Sequence, residues 1–268
     1  MPSADDPVRV WGLPLAPLTF DQALDRIDRL IETGRPSFFI TANLHYAMLS
    51  DADSRLRQLN ERAAFILADG MPLVWWSRLG PRPLPERVAG ADLIYGLCEW
   101  AAKKGHRVYL LGAAPGVAAE AAGKLTQKYP GLQIVGVECP PFRPLTAAED
   151  TELVERIRSA RPDILVVAFG QPKGELWIAE RLDRLGVPVC VQVGATLDFV
   201  AGRVKRSPKW MQKTGVEWVY RMLQEPRRLA GRYLDNAVFL LRAVFAPRFR
   251  RERRPESLTS AARTADTI

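Results

Sequence analysis

The chain is poor in the residues that build metal centres and disulfide frameworks. Its 268 residues include two histidines, His45 and His106, and three cysteines, Cys98, Cys139 and Cys190. An odd number of widely spaced cysteines in a chain of this length does not make a disulfide scaffold and points to a reducing compartment. With no C-x-x-C pair and no histidine cluster, no metal site is expected. The single D-x-D, Asp51-Ala52-Asp53, runs into a helical pattern over 54–62 and reads as its cap. Long apolar runs are also missing. The stretch 237–246 has ten residues and contains Arg242, whereas a bilayer span needs about 20. The first 20 residues lack the apolar h-region of a signal peptide. There is no G-x-G-x-x-G, no nucleophile elbow and no Ser-His-Asp or Cys-His arrangement, which disfavours dinucleotide dehydrogenases and acyl-transfer hydrolases.

What is present is an ordinary globular composition, 47% hydrophobic and 25% charged, with its charge unevenly placed. Residues 1–202 hold 22 Lys/Arg against 24 Asp/Glu, whereas residues 203–254 hold 15 against 4. A near-neutral body therefore carries a basic segment of net charge +11. Such a segment seeks a polyanion: anionic lipid, nucleic acid or substrate phosphates.

Nearly continuous apolar runs over 37–42, 64–68, 107–111, 132–137, 163–169 and 187–193 read as strands covered on both faces. Helical patterns lie between them. Thr19 and Gly34 bracket one, a Thr146/Glu149 capping box opens another, and 90–104, 115–129 and 175–185 supply more. This rhythm predicts an α/β fold, a doubly wound, mainly parallel, Rossmann-like sheet over 1–202. After Gly202 the strands stop. A basic, Trp-rich helical appendage is expected over 203–250 and a disordered tail over 251–268.

In open parallel sheets ligands bind beyond the C-terminal ends of the strands. Those ends read Thr41-Ala42-Asn43, Asp69-Gly70, Gly112 to Gly116, Gly170-Gln171-Pro172-Lys173 and Gly194-Ala195-Thr196. The Gly112 turn, opening a helix, suits a diphosphate, though a tight βα turn explains it equally well. Asp69 is the candidate general base; its competing role is to cap a helix starting at Met71-Pro72. Thr41 and Asn43 offer neutral hydrogen bonds, and Arg87 a guanidinium for phosphate. Lys173 and Glu175 flank Gly174 at a helix start, where Glu175 also suits the helix dipole. Arg221, Arg228 and Arg232 share one face of a continuous helix, if Pro226 does not interrupt it, and suit a lipid diphosphate.

Several motifs carry a resemblance. They are Thr41-x-Asn43, Ala68-Asp69-Gly70-Met71-Pro72, Arg87-Val88-x-Gly90-x-Asp92-Leu93, Gly170-x-Pro172-Lys173-x-Glu175-x-Trp177, Arg206-Ser207-Pro208-x-Trp210 and Gly215-Val216-Glu217-Trp218-x-x-Arg221. With Val193-Gly194, Asp198 and Glu225-Pro226-x-Arg228-Leu229-x-x-Arg232-Tyr233, the chain from about 10 to 245 resembles the WecG/TagA/CpsF glycosyltransferases. The resemblance implies metal-independent, inverting transfer from a UDP-sugar, of N-acetylmannosamine or glucose type, to a sugar on a polyprenyl diphosphate in cell-surface polysaccharide synthesis, with no cofactor. It implies Asp69 as base, Thr41 and Asn43 at the sugar, and Arg87, Arg221, Arg228 and Arg232 toward phosphate or acceptor. Gly112, Gly170, Pro172, Lys173, Glu175, Gly194 and Asp198 are assigned to the nucleotide. It further implies a cytoplasmic protein peripheral on an anionic membrane face, with a homo-oligomer open. The family usually has Gln at position 174 and Phe at 197, where this chain has Gly174 and Leu197, which leaves the donor sugar open. The alternative is a non-catalytic, membrane-associated nucleotide-sugar binder. A nucleic-acid binder fits the basic segment but not the strand-end cluster.

Overall fold

The computed structural model describes residues 6–247 and Phe249. The expected tail, 251–268, lies outside the described residues, as does the side chain of Arg228. The chain opens with a short antiparallel hairpin, β1 (Val8–Val10) and β2 (Leu13–Leu15), followed by α1 (Phe20–Thr33). A complete capping box of Thr19 and Gln22 starts α1, and Gly34 in the left-handed region ends it. Then come β3 (Ser37–Ala42), α2 (Leu44–Ala52), α3 (Ser54–Arg62), β4 (Ile66–Ala68), α4 (Met71–Ser77) and α5 (Gly90–Lys104). The second half runs β5 (Arg107–Gly112), α6 (Val117–Lys128), β6 (Gln133–Glu138), α7 (Ala147–Ala160), β7 (Ile164–Ala168), α8 (Lys173–Leu185), β8 (Val189–Gln192) and α9 (Thr196–Ala201). Three helices finish it: α10 (Lys209–Lys213), α11 (Glu217–Gln224) and α12 (Pro226–Phe245).

Strands β3 to β8 form one parallel sheet in the order β4-β3-β8-β7-β5-β6. Its central strands are buried on both faces because their apolar runs are unbroken: β7 is Ile-Leu-Val-Val-Ala with every residue buried. Alternate residues feed two core layers. Tyr46, Ala47, Ile178 and Ala179 pack with Ile40, Leu165 and Cys190 on one face. Val117, Ala118, Leu197 and Val200 pack with Val166, Val189 and Val191 on the other.

That distribution locates the ligand crevice. The neighbours β5 and β7 send their following helices, α6 and α8, to opposite faces, and β3 and β8 do the same with α2 and α9. Each divergence is a topological switch point, the place at the strand ends where open sheets of this kind bind their ligands. From β5 to β4 the row of ends spans four strand spacings, roughly 19 Å. That length suits a nucleoside diphosphate carrying a sugar.

The C-terminal segment packs on this body. Leu229, Phe239, Ala243 and Phe249 are buried. Phe239 lies 5.7 Å from the ring of Trp11 at the hairpin turn, and Trp11 lies 5.1 Å from Trp76 on α4. Pro226 divides the segment as its ring chemistry demands: α11 stops at Gln224 and Pro226 occupies the first turn of α12. Arg221 is therefore on a different helix from Arg228 and Arg232.

Candidate active site

Asp69 ends β4, its N–H donating to the Ala42 carbonyl of β3 at 2.8 Å. It does not cap α4: the N-cap of that helix is Gly70 and no side chain caps it. The Asp69 carboxylate instead accepts from the backbone N–H of Gly90 at the start of α5. A Cβ at Gly90 would lie 3.5 Å from Asp69 Oδ2 and 3.3 Å from Thr41 Oγ1, so these two oxygens flank the same helix terminus. Burial pushes the Asp69 pKa up to about 7, opposed by the Arg87 guanidinium and the Gly90 N–H and reinforced by Glu217 and Asp92. A carboxylate titrating there, half-buried at the strand ends, is matched to accepting a proton near neutral pH.

Thr41 is buried and its hydroxyl donates to the Gln192 carbonyl at 3.3 Å. Asn43 is the N-cap of α2: its Oδ1 accepts from Tyr46 N–H at 3.1 Å. Its Nδ2 donates to Gln171 Oε1 at 2.9 Å, and Gln171 Nε2 donates to the Thr41 carbonyl at 3.0 Å. Gln171, absent from the sequence-based candidates, thus ties the lip after β7 to the lip after β3, across β8. Its polar side chain between Gly170 and Pro172 at a strand end was the available signal.

Gly112 and Gly174 serve close approach. Gly112 has φ +104°, and a Cβ there would sit 2.9 Å from the Ala168 carbonyl oxygen and the Phe169 ring. The Ala113 N–H then donates to the Ala168 carbonyl and the chain turns into α6, whose first turn has no side-chain cap. Gly170 and Gly194 also have positive φ at their strand ends. Pro172 follows a cis peptide bond and Lys173 is exposed at the start of α8. At Gly174 a Cβ would come within 2.5 Å of the Gln192 side chain, which fills the space a larger residue would need. Leu197, the second departure, is fully buried in the core. Asp198 lies in the first turn of α9.

Glu175 is buried deeply, 2% exposed, and neither carboxylate oxygen has a partner in hydrogen-bonding geometry. Burial pushes its pKa up to about 7, softened by its own N–H and the nearby Gln171 amide. Gln192 Nε2 is likewise buried without a partner.

The arginines do not gather at one point. Arg87 pairs with Glu217 at 3.3 Å and Asp92 at 3.5 Å, so its charge is already engaged. Arg221 lies over the Phe199 ring of α9, 5.3 Å from its centroid. Arg232 approaches His45 on the first turn of α2; burial first, then that guanidinium, hold the His45 pKa below its ordinary value. Asp53 caps α3 by accepting from Arg55 N–H at 2.8 Å.

This ordered set of strand-end groups coincides with a known sequence pattern. The pattern of the glycosyl transferase WecG/TagA/CpsF family matches residues 8–254. The chain belongs to that family. It is accordingly a glycosyltransferase with a Rossmann-like α/β body. Two relatives bear it out. An N-acetylglucosaminyldiphosphoundecaprenol N-acetyl-beta-D-mannosaminyltransferase of Bacillus spizizenii is 31% identical over 198 residues, 74% of this chain and 75% of that protein. A Staphylococcus aureus protein of the same description is 30% identical over 211 residues, 79% of this chain and 81% of that protein.

Proposed function

We propose that this glycosyltransferase moves a sugar from a UDP-sugar onto a sugar carried by a polyprenyl diphosphate, by inverting transfer without a metal. The observation that carries the reading is Asp69: a half-buried carboxylate without an ion pair among the described residues, at the strand ends beside Thr41 and the start of α5. The relatives' transfer of N-acetylmannosamine to an N-acetylglucosaminyl diphosphoundecaprenol supports the substrate class. In this mechanism the nucleotide lies along Gly112, Gly170 and Gly194, with its diphosphate at the α6 amides. Lys173, Glu175 and Asp198 border that end. The sugar reaches Thr41, Asn43 and Gln171. An acceptor hydroxyl oxygen attacks the anomeric carbon from the face opposite the diphosphate. Asp69 takes the hydroxyl proton, the carbon–phosphate oxygen bond breaks, and UDP leaves with the bonding pair. Lys173 and the helix amides offset the growing negative charge. The test is release of UDP from a panel of UDP-sugars in the presence of a short-chain polyprenyl-diphosphate-linked N-acetylglucosamine, with excess EDTA throughout. Turnover is expected to persist; loss with EDTA and recovery with Mn²⁺ would overturn the metal-free step.

The same reading places the protein peripherally on an anionic membrane face, where the lipid acceptor resides. Among the described residues no helix is long and apolar enough to cross a membrane. Helix α12 instead exposes Leu234, Val238, Leu241 and Phe245, spaced as one helical stripe, and Trp210, Trp218 and Leu223 are exposed nearby. Apolar side chains within a segment of net charge +11 suit insertion at a lipid interface. We expect the protein to sediment with anionic vesicles and to be released as salt rises. The double substitution Leu241→Ser and Phe245→Ser is expected to weaken that binding at least about tenfold. Unchanged sedimentation of the double variant would remove α12 from the contact.

A further inference from the structure

The C-terminal segment reaches the Asp69 corner through charged side chains. Arg206, ahead of α10, places its two terminal nitrogens on the Asp92 carboxylate, one of them at 2.8 Å. Its Nε lies 3.7 Å from Glu217. Glu217, the first residue of α11, pairs with Arg87 at 3.3 Å, and Arg87 returns to Asp92 at 3.5 Å. Cations and anions alternate around this ring, which sums to zero charge. Arg87, Arg206 and Glu217 are each at most 20% exposed along the side chain. All four act electrostatically with Asp69: Arg87 and Asp92 from the start of α5, Arg206 and Glu217 from the C-terminal segment. Yet neither guanidinium forms an ion pair with Asp69, because each is turned to the ring carboxylates.

We propose that Glu217 is a positioning residue for the transfer: with Asp92 it neutralises the two guanidinium groups beside Asp69, so that seating the C-terminal segment leaves the Asp69 carboxylate free to take a proton. The physical need is plain. A carboxylate standing next to an unbalanced guanidinium is held in its ionised form and is a weak base. Arg87 and Arg206 without Glu217 would place one uncompensated positive charge at that corner. The inference rests on the reading of Asp69 as the base. It adds that the segment contributes to the chemistry at the carboxylate, apart from any contact with lipid or acceptor.

The test reads the titration of Asp69 itself. The full-length protein is labelled with ¹³C in its aspartate carboxyls, and the Asp69 resonance is assigned by its disappearance in Asp69→Asn. In Glu217→Gln the Asp69 midpoint is expected to fall by about one pH unit, and Glu217→Asp to restore it. In Arg206→Gln, which leaves the ring with a net negative charge, the midpoint is expected to rise. Opposite displacements from two substitutions are what charge balance requires and what general loosening of the segment cannot produce. Asp69 midpoints that coincide in wild type, Glu217→Gln and Arg206→Gln would overturn the proposal. Displacements of the same sign in both variants would overturn it too. Transfer measured in parallel keeps the two ideas apart. If Asp69→Asn transfers sugar normally, the base reading falls, whatever the ring does to the midpoint. If Asp69→Asn is inactive and the midpoints do not move, only the role of Glu217 falls.

Discussion

Asp69→Asn is expected to lower sugar transfer by about 10²–10⁴-fold, the usual worth of a general base, while leaving UDP affinity within a few-fold of wild type. Asparagine has nearly the same shape, and its amide oxygen can keep the Gly90 N–H bond that positions the start of α5. What it loses is the ability to take a proton. The loss should therefore fall on kcat, because the acceptor hydroxyl gives up its proton only as the new bond forms. The wild-type pH profile gives a second readout. A base must be ionised to act, so activity should climb as pH rises through the Asp69 value of about 7. In Asp69→Asn that limb should be absent from any residual activity. A fall smaller than about tenfold, or a wild-type rate flat from pH 5 to 8, would return Asp69 to a structural role. Capping α4 is not that role, since its carboxylate is turned to α5.

The sheet was legible because its strands are covered on both faces. Runs such as Ile164 to Ala168 need no partner information to be recognised, and the helix ends at Thr19, Gly34 and Thr146 carry their own capping chemistry. The hairpin β1–β2 was not legible: three-residue strands give no period, and Trp11 turns between them with positive φ against the rule for a bulky residue. Helix α2 was hidden for a different reason. At a strand end Asn43 suits either a ligand or the turn backbone, and its task as the N-cap of α2 is settled by the Tyr46 N–H. The Asp69 corner shows the deeper limit. Strand-end position singles out Asp69, but Arg206 and Glu217, which with Arg87 and Asp92 set the charge around it, lie more than 100 residues away. Nothing local in the sequence says that a basic segment delivers its acidic residue to an arginine of the body. Gln171 was missed in the same way, its neighbours Asn43 and Thr41 being supplied by the other half of the sheet.

Glu175→Gln is expected to stabilise the folded protein at pH 8 relative to wild type, by up to about 3 kcal/mol, and to lose that advantage as the pH is lowered. The cause is the burial of an acid without an ion-pair partner among the described residues. Both Glu175 oxygens lie inside the protein, beside the buried Tyr46, whose own pKa is pushed up by burial and then by the Glu175 charge. The folded state raises the carboxyl from its ordinary 4.5 to about 7. A group with a raised folded pKa contributes stability that is fully present below about 4.5. That contribution is lost as pH rises through about 7, because the folded protein must then hold an unpaired charge. Glutamine does not titrate, so the variant escapes the loss. Asp69 carries a similar raised value but is common to both proteins and cancels in the comparison. Urea unfolding of wild type and Glu175→Gln at pH 5 and pH 8 provides the measurement: the gap in unfolding free energy should widen with pH. Parallel stabilities across that range would mean that Glu175 finds a partner in solution and is not a standing cost. The expected sign also fits the position of the residue. An acid buried at such cost, in the first turn of α8 and beside the Gln171 clamp, serves the crevice better than it serves the fold, and sites built for binding commonly lower stability in this way.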